Sequence, residues 1–188
     1  MTNNYLAQTG RDYYQSVGIM LGYTDEAVVE HNELQDMPYS GISVGWGWDN
    51  VASALRNNLV RYNRIQHVLT RMADGAGIYT LSRQPGTLIA ENYVHDLVRT
   101  GVQGGFNMSG IYLDEGSSQI TVRDNVLLTT ADRAIFQNAN GPKNTFVNNG
   151  GRSPAVIAHA GLQPAFADIR PGSLPRPAEE PSRPTPAR

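Results

Sequence analysis

Cysteine is absent from the 188 residues of this chain, so disulfides and thiolate metal sites are excluded. That absence leaves the compartment open. No apolar stretch is long enough to span a bilayer, and the start, Met1-Thr-Asn-Asn-Tyr5, lacks the basic and apolar regions of a signal peptide. No run of Lys or Arg marks a nucleic-acid surface, and the formal charge is only −2 with a pI of about 6.1. Neither nucleic acid nor membrane is therefore expected as a partner. The length fits one domain with a tail.

What the chain does contain is a repeat. Val29-Glu-His-Asn32-Glu-Leu34 places an aliphatic residue, two variable residues, Asn, one variable residue and a second aliphatic residue in order. The pattern returns at Val60-Arg-Tyr-Asn63-Arg-Ile65, Ile89-Ala-Glu-Asn92-Tyr-Val94 and Val122-Arg-Asp-Asn125-Val-Leu127, with a weaker copy at Phe146-Val-Asn-Asn149. A short strand–turn unit recurring over most of a chain marks a solenoid, and units built of strands indicate an all-β parallel β-helix. A second strand signal recurs as Gly41-Ile-Ser-Val44, Gly77-Ile-Tyr-Thr80, Gly110-Ile-Tyr-Leu113 and Ala134-Ile-Phe-Gln137. Side chains alternate across a strand, so Ile42, Ile78, Ile111 and Ile135 should stack inside the coil, with Ser43, Tyr79, Tyr112 and Phe136 stacked outside. The repeated Asn residues read as structural: they tolerate the left-handed conformation of a tight corner, and stacked amides bond from one turn of the coil to the next. Surplus segments such as Thr70–Ala76 and Thr100–Ser109 read as loops thrown out on one face.

The repeat domain is expected over residues 12–169, preceded by an N-terminal arm over 1–11. Val17-Gly-Ile-Met-Leu21 already reads as an inward strand. Residues 170–188, rich in Pro, Arg, Glu and Ser, are expected to form a disordered tail. Ala160-Gly-Leu-Gln-Pro-Ala-Phe166 reads as an ordered cap over the last coil. With three or four coils and nothing ahead of them to act as a cap, the helix is expected to be truncated at its N-terminal end, or to associate through an open first coil.

Ionisable and aromatic groups concentrate in Asp74-Gly-Ala-Gly-Ile-Tyr-Thr80 and Gly110-Ile-Tyr-Leu-Asp-Glu-Gly-Ser117. These segments flank equivalent strands in consecutive coils, which lie about 4.8 Å apart. Their carboxylates would share a groove, with Asp114 on the same outward face as Tyr112. Paired carboxylates serve glycoside hydrolysis and also calcium binding; equally, such acids cap exposed loop amides. Both tryptophans fall in Tyr39-Ser-Gly-Ile-Ser-Val-Gly-Trp-Gly-Trp48, where glycines leave Trp46 and Trp48 accessible for stacking on sugar rings, or place them over the end of the core. His31, His67 and His95 recur near equivalent corners and read as structural rather than as a zinc triad. His95-Asp96 is placed to orient itself near the acids. Arg71 and Arg83 lie beside Asp74, as anion or hydroxyl binders or as carboxylate partners. No metal or cofactor is required.

Ala73-Asp-Gly-Ala-Gly-Ile-Tyr-Thr80, Gln84-Pro-Gly-Thr87, Asn92-Tyr-Val-His-Asp96 and Gly110–Ser118 together resemble bacterial right-handed parallel β-helix proteins related to glycoside hydrolase family 141. The Trp-bearing segment and Ala160-Gly-Leu-Gln-Pro164 also fit, and the likeness covers roughly residues 12–168. That family includes α-L-fucosidase and xylanase activities on plant polysaccharides, and its members are usually secreted or periplasmic. The resemblance implies catalytic acids at Asp74 and Asp114, with Glu115 in reserve. Trp46, Trp48, Tyr79, His95, Tyr112 and Gln137 are the expected substrate-binding residues. Two departures stand out: Gln137-Asn138 replaces the family's frequent Gln-His, and family members are much longer. The sequence reading is therefore a carbohydrate-active β-helix, a glycoside hydrolase first. A polysaccharide lyase or a truncated, non-catalytic glycan-binding solenoid are the alternatives.

Overall fold

The computed structural model describes residues 1–171, so the expected tail lies outside the described residues from 172 onward. The chain winds through five coils of three short strands. Strands β1 (Tyr5–Ala7), β2 (Ile19–Leu21) and β3 (Val28–Glu30) form the first coil. The second is β4 (Glu33–Gln35), β5 (Ile42–Val44) and β6 (Leu59–Arg61), and the third is β7 (Arg64–Gln66), β8 (Gly75–Thr80) and β9 (Leu88–Ala90). Strands β10 (Tyr93–Leu97), β11 (Met108–Leu113) and β12 (Thr121–Arg123) make the fourth, and β13 (Val126–Thr130), β14 (Arg133–Gln137) and β15 (Thr145–Val147) the fifth. Every third strand pairs in parallel, giving three five-stranded sheets, β1-β4-β7-β10-β13, β2-β5-β8-β11-β14 and β3-β6-β9-β12-β15. This is the parallel β-helix expected from the repeat, with more coils than the three or four inferred.

Register converts the repeat into three internal columns. Leu6, Leu34, Ile65, Val94 and Leu127 stack in the first sheet. Ile19, Ile42, Ile78, Ile111 and Ile135 stack in the second. Val29, Val60, Ile89, Val122 and Phe146 stack in the third. The middle members are fully buried, each worth roughly 1.5–3 kcal/mol of transfer from water. The two aliphatic residues of each Val-x-x-Asn-x-Leu unit therefore belong to different sheets, and the Asn turns the corner between them.

The corner chemistry divides differently from the expectation. The left-handed residue is the one before each Asn: Asn3, His31, Tyr62, Glu91, Asp124 and Asn148 have φ of 56°, 53°, 51°, 55°, 55° and 49°. The Asn that follows turns its amide inward. Its Nδ2 donates to the Oδ1 of the next, from Asn4 through Asn32, Asn63, Asn92 and Asn125 to Asn149, at 2.8–3.0 Å. The same Oδ1 atoms also accept the backbone N–H of the preceding ladder member. The bonded ladder offsets the strain of roughly 1–2 kcal/mol at each left-handed neighbour.

The small residue entering each strand of the second sheet has a steric cause. A Cβ at Gly77 would lie 2.4 Å from Val94 Cγ1 and 2.9 Å from Gly110 O, and one at Gly41 would lie 2.7 Å from Ile65 Cγ2. The second sheet meets the first too closely there for a side chain.

Two boundary expectations change. Residues 1–11 are not a separate arm: Tyr5–Ala7 pairs with β4, and Asn4 opens the amide ladder. The segment after the last strand does not cap the last coil. It forms α1 (Pro154–His159), N-capped by Ser153, and a 3-10 turn over Pro164–Ile169, and runs back along the outside of the first sheet. Arg64 donates to Ile157 O, Gly161 N to Tyr62 O, His31 Nδ1 to Gly161 O, and Asn3 Nδ2 to Gln163 Oε1. At its end, Arg170 clasps the buried Glu33 carboxylate, 2.6 Å from Nη2 to Oε2. The segment is a strap laid over the exposed edge groups of early coils, drawn there by complementary polar groups rather than by the apolar cross-section of the last one.

Candidate active site

The outer face of the second sheet carries the column Met20, Ser43, Tyr79, Tyr112, Phe136 in register, as alternation demands. Two loops wall it. The first holds the tryptophans: Ser82 Oγ donates to Trp46 O and Gly47 O, Ser118 Oγ bonds Asn50 Oδ1, and a Cβ at Gly116 would overlap Asp49 O. This loop thus leaves the second coil and is pinned on the third and fourth, which carries Trp48 to the acids. The second wall is 98–107. Arg99 bonds both carboxylate oxygens of Asp132 and the carbonyls of Gly104 and Phe106, while the buried Gln103 amide donates to Leu69 O and Val98 O.

Between these walls runs a groove. One part, of about 490 Å³, is lined by Trp48, Asp74, Tyr79, Phe106, Tyr112, Asp114, Glu115, Phe136 and Asn138. It continues into a larger and more apolar part of about 790 Å³ that shares Trp48, Asp74, Tyr79 and Phe106 and adds Met20, Tyr39, Ser43, Trp46 and Met72. Trp46 and Trp48 are about half exposed and meet edge-on with ring centroids 5.1 Å apart, as expected of accessible indoles.

Asp74 and Asp114 both face the groove, but not as axial neighbours. Asp74 immediately precedes β8 and Asp114 immediately follows β11, and Gly75 pairs with Met108 while Thr80 pairs with Leu113. The acids therefore stand at opposite ends of the strand pair, and two tyrosines cross the span between them. Tyr79 OH, from the coil of Asp74, donates to Asp114 Oδ2 at 2.5 Å. Tyr112 OH, from the coil of Asp114, reaches Asp74 Oδ1 at 3.4 Å. The two rings meet edge-to-face, centroids 5.1 Å apart. Asp114 is buried and receives a second bond from Asn138 Nδ2 at 2.8 Å. Asp74, in the left-handed conformation at φ 58°, lies more openly at the groove mouth, its carbonyl accepting from Tyr39 OH at 2.7 Å.

Electrostatics follow from this packing. The Asp74 carboxyl is held above the usual carboxylate value, first by the protein packed around it and then by the negative charge of Asp114, against a lowering contact from Tyr112. Burial, then the charges of Asp74 and Asp114, push the Tyr39 hydroxyl up to about 12. Burial also raises Tyr79, with the bond to Asp114 second, and raises Tyr112, with the charge of Asp114 second. All three phenols are thus fixed hydrogen-bond donors at neutral pH. A carboxyl inclined to keep its proton, facing one that accepts on both oxygens, has the parts for acid–base chemistry.

Of the remaining expected site residues, Glu115 lines the groove, whereas His95 and Gln137 do not. His95 belongs to β10 of the first sheet, stacked on Tyr93 at 4.1 Å and bonded to Asp96 at 2.8 Å. Gln137 ends β14 exposed in the last coil, in register with the buried Leu113 rather than with the outward Tyr112–Phe136 column, and its Oε1 accepts from Asn140. Its neighbour Asn138, where the family's frequent His would stand, is the residue that touches Asp114. Asn138, Tyr39 and Phe106 are site residues not selected from sequence. In the sequence Asn138 stands out only as a departure from pattern, and Phe106 follows an undistinguished Gly-Gly. Among the described residues no group of three or more His, Asp or Glu converges on a metal position, and no helix is long and apolar enough to cross a membrane.

Residues 1–163 match the family model described as the right handed beta helix region. A solved structure titled "Glycoside hydrolase" superposes with a TM-score of 0.82 at 39% sequence identity, covering 89% of this chain and 28% of that one. This chain therefore spans little more than a quarter of that protein. No curated protein matches.

Proposed function

Because this chain belongs to the right-handed β-helix family and is related to a glycoside hydrolase, we propose that its groove hydrolyses glycosidic bonds of a plant-type polysaccharide, with Asp74 and Asp114 as the carboxylate pair. The observation that carries this reading is the crossed arrangement, in which each acid contacts the tyrosine of the other's coil inside one groove. Asp74, with its raised carboxyl, protonates the departing glycosidic oxygen. Asp114, held by Tyr79 and Asn138, acts on the opposite face of the sugar, activating water or attacking directly. Glu115 stands in reserve on the same wall. Trp46, Trp48 and Phe106 offer apolar faces to the C–H faces of neighbouring sugar rings. The chemistry needs no cofactor.

A lyase acting on uronates would use a basic residue or Ca²⁺ beside the acids. The described residues lining the acid-bearing part of the groove include neither Lys nor Arg, which favours hydrolysis. The test is turnover of aryl glycosides, α-L-fucoside and β-xyloside first. Activity that falls by at least about 10²–10⁴-fold in both Asp74→Asn and Asp114→Asn, with folding intact, is expected. Full activity in either variant removes the assignment. Saturable oligosaccharide binding without product from the folded chain would identify a glycan-binding solenoid instead.

A further inference from the structure

Beside the groove lies a second cavity, of about 370 Å³, whose lining includes Thr9, Arg11, Tyr14, Asp36, Thr70 and Arg71. Three passes of the chain connect the two: Tyr14, Pro38 and Arg71 line the cavity, and the next residues, Gln15, Tyr39 and Met72, line the groove. The cavity shares no lining residue with the part of the groove that holds Asp114.

Its charge is unusual for this molecule. Among the described residues, neither the Arg11 nor the Arg71 guanidinium meets a carboxylate; Arg71 lies over the Tyr14 ring at 5.5 Å, and every other side chain charge pair involves different arginines or histidines. The one acid in the lining is already engaged, Asp36 accepting from His67 Nδ1 at 2.6 Å and from Gln35 Nε2 at 3.0 Å. The Thr9 hydroxyl is buried with no hydrogen-bond partner. The wall carrying Thr9 and Arg11 is closely packed, since a Cβ at Gly10, φ 72°, would lie 2.8 Å from Pro38 Cγ. Arg83, the other arginine near Asp74 in sequence, lines neither this cavity nor the groove; its backbone bridges to Ser118.

We propose that this cavity is an anion subsite that takes a carboxylate or sulfate substituent borne by the polysaccharide in the groove. The proposal rests on the glycan reading of the groove and specifies its substrate class as an acidic, branched or decorated chain. A guanidinium fork matches a carboxylate or sulfate through paired N–H donors, and the Tyr14 ring holds the Arg71 plane. Because the cavity lies apart from Asp114, the anion is read on a sugar away from the bond being cleaved, so the site does not imply elimination chemistry.

The experiment is calorimetric binding at low salt to the full chain carrying Asp114→Asn, which prevents turnover. Three probes are compared: a glucuronate-decorated xylo-oligosaccharide, the same compound with its carboxyl reduced to an alcohol, and a sulfated xylo-oligosaccharide. At least one anionic probe is expected to bind about tenfold more tightly than the neutral one, and which one identifies the source of the charge. Arg71→Gln and Arg11→Gln should each reduce that preference to about twofold or less while leaving neutral binding and the melting temperature unchanged. Equal binding of all three probes keeps the groove reading and overturns the subsite. A preference that survives both Arg variants also overturns it. Binding of none of the probes overturns both.

Discussion

At the scale of single residues, the groove is organised by where protons are kept. The phenols of Tyr39, Tyr79 and Tyr112 are all raised by burial and by the two acids, so they remain donors over the working range. Asp74 is raised as well, which has a consequence for stability. A carboxyl that binds its proton more tightly in the folded than in the unfolded chain contributes stability below its ordinary value of 3.8, and that contribution is lost as pH rises through the folded value. Above that folded value the ionised Asp74 is therefore a liability that function retains. Asp74→Asn is expected to abolish turnover and yet to melt at a higher temperature than the parent at pH 7. The difference should shrink as pH falls toward 3.8. Thermal melts across that range check it, and a variant less stable than the parent at pH 7 contradicts it. Asp132 is the opposite case: the Arg99 bond holds its carboxyl below the ordinary value, so its contribution is present at neutral pH and lost as pH falls through the folded value.

At the scale of elements, the amide ladder and the walls play separate parts. Asn92 is fully buried, donates to Asn125 Oδ1, Val60 O and Ala90 O, and accepts from Asn63 twice. Asn92→Ala leaves several of those groups unpaired and should cost about 3 kcal/mol or more in urea unfolding. Asn149→Ala, at the end of the ladder where the residue is only part-buried, should cost about half as much. The loop 98–107 depends on Arg99 for its shape. Arg99→Ala should lower stability by about 1 kcal/mol or less, because the ion pair is partly exposed. It should weaken substrate binding more, since Phe106 would no longer be held over the groove. A rise in KM with little change in melting temperature is the expected signature, and an unchanged KM would separate Phe106 from substrate.

At the scale of the whole molecule, the strap ties the first coils to the chain that follows the last strand. Its Arg170–Glu33 contact buries the carboxylate almost completely, with side-chain exposures of 36% and 7%. Removing one partner of a buried pair leaves a charge without compensation. Arg170→Ala should therefore destabilise the fold by about 2–3 kcal/mol while leaving kcat on an aryl glycoside unchanged, because the strap and the groove lie on different sheets. Chemical denaturation and steady-state kinetics on the same sample check both halves.

The sequence alone determined the architecture, the inward columns and the outward row of Tyr79, Tyr112 and Phe136. All of these follow from periodicity, and stacking in a solenoid copies periodicity directly into space. It also singled out Asp74, Asp114 and the two tryptophans. Only the tertiary structure decided which segments lie against which. The left-handed position falls on the residue before each Asn because the ladder claims the amide. His95 belongs to another sheet because the two-residue corner Glu91-Asn92 redirects the strand that follows. Asn138 and Phe106 enter the groove through loops whose course depends on contacts a coil or more away, at Asp132 and Asp114. The strap's path is set by Glu33, Arg64 and Tyr62, residues remote in sequence that no local pattern connects to it. Short-range order is written in spacing, whereas the site depends on long-range contacts between irregular segments, and those have no period to read.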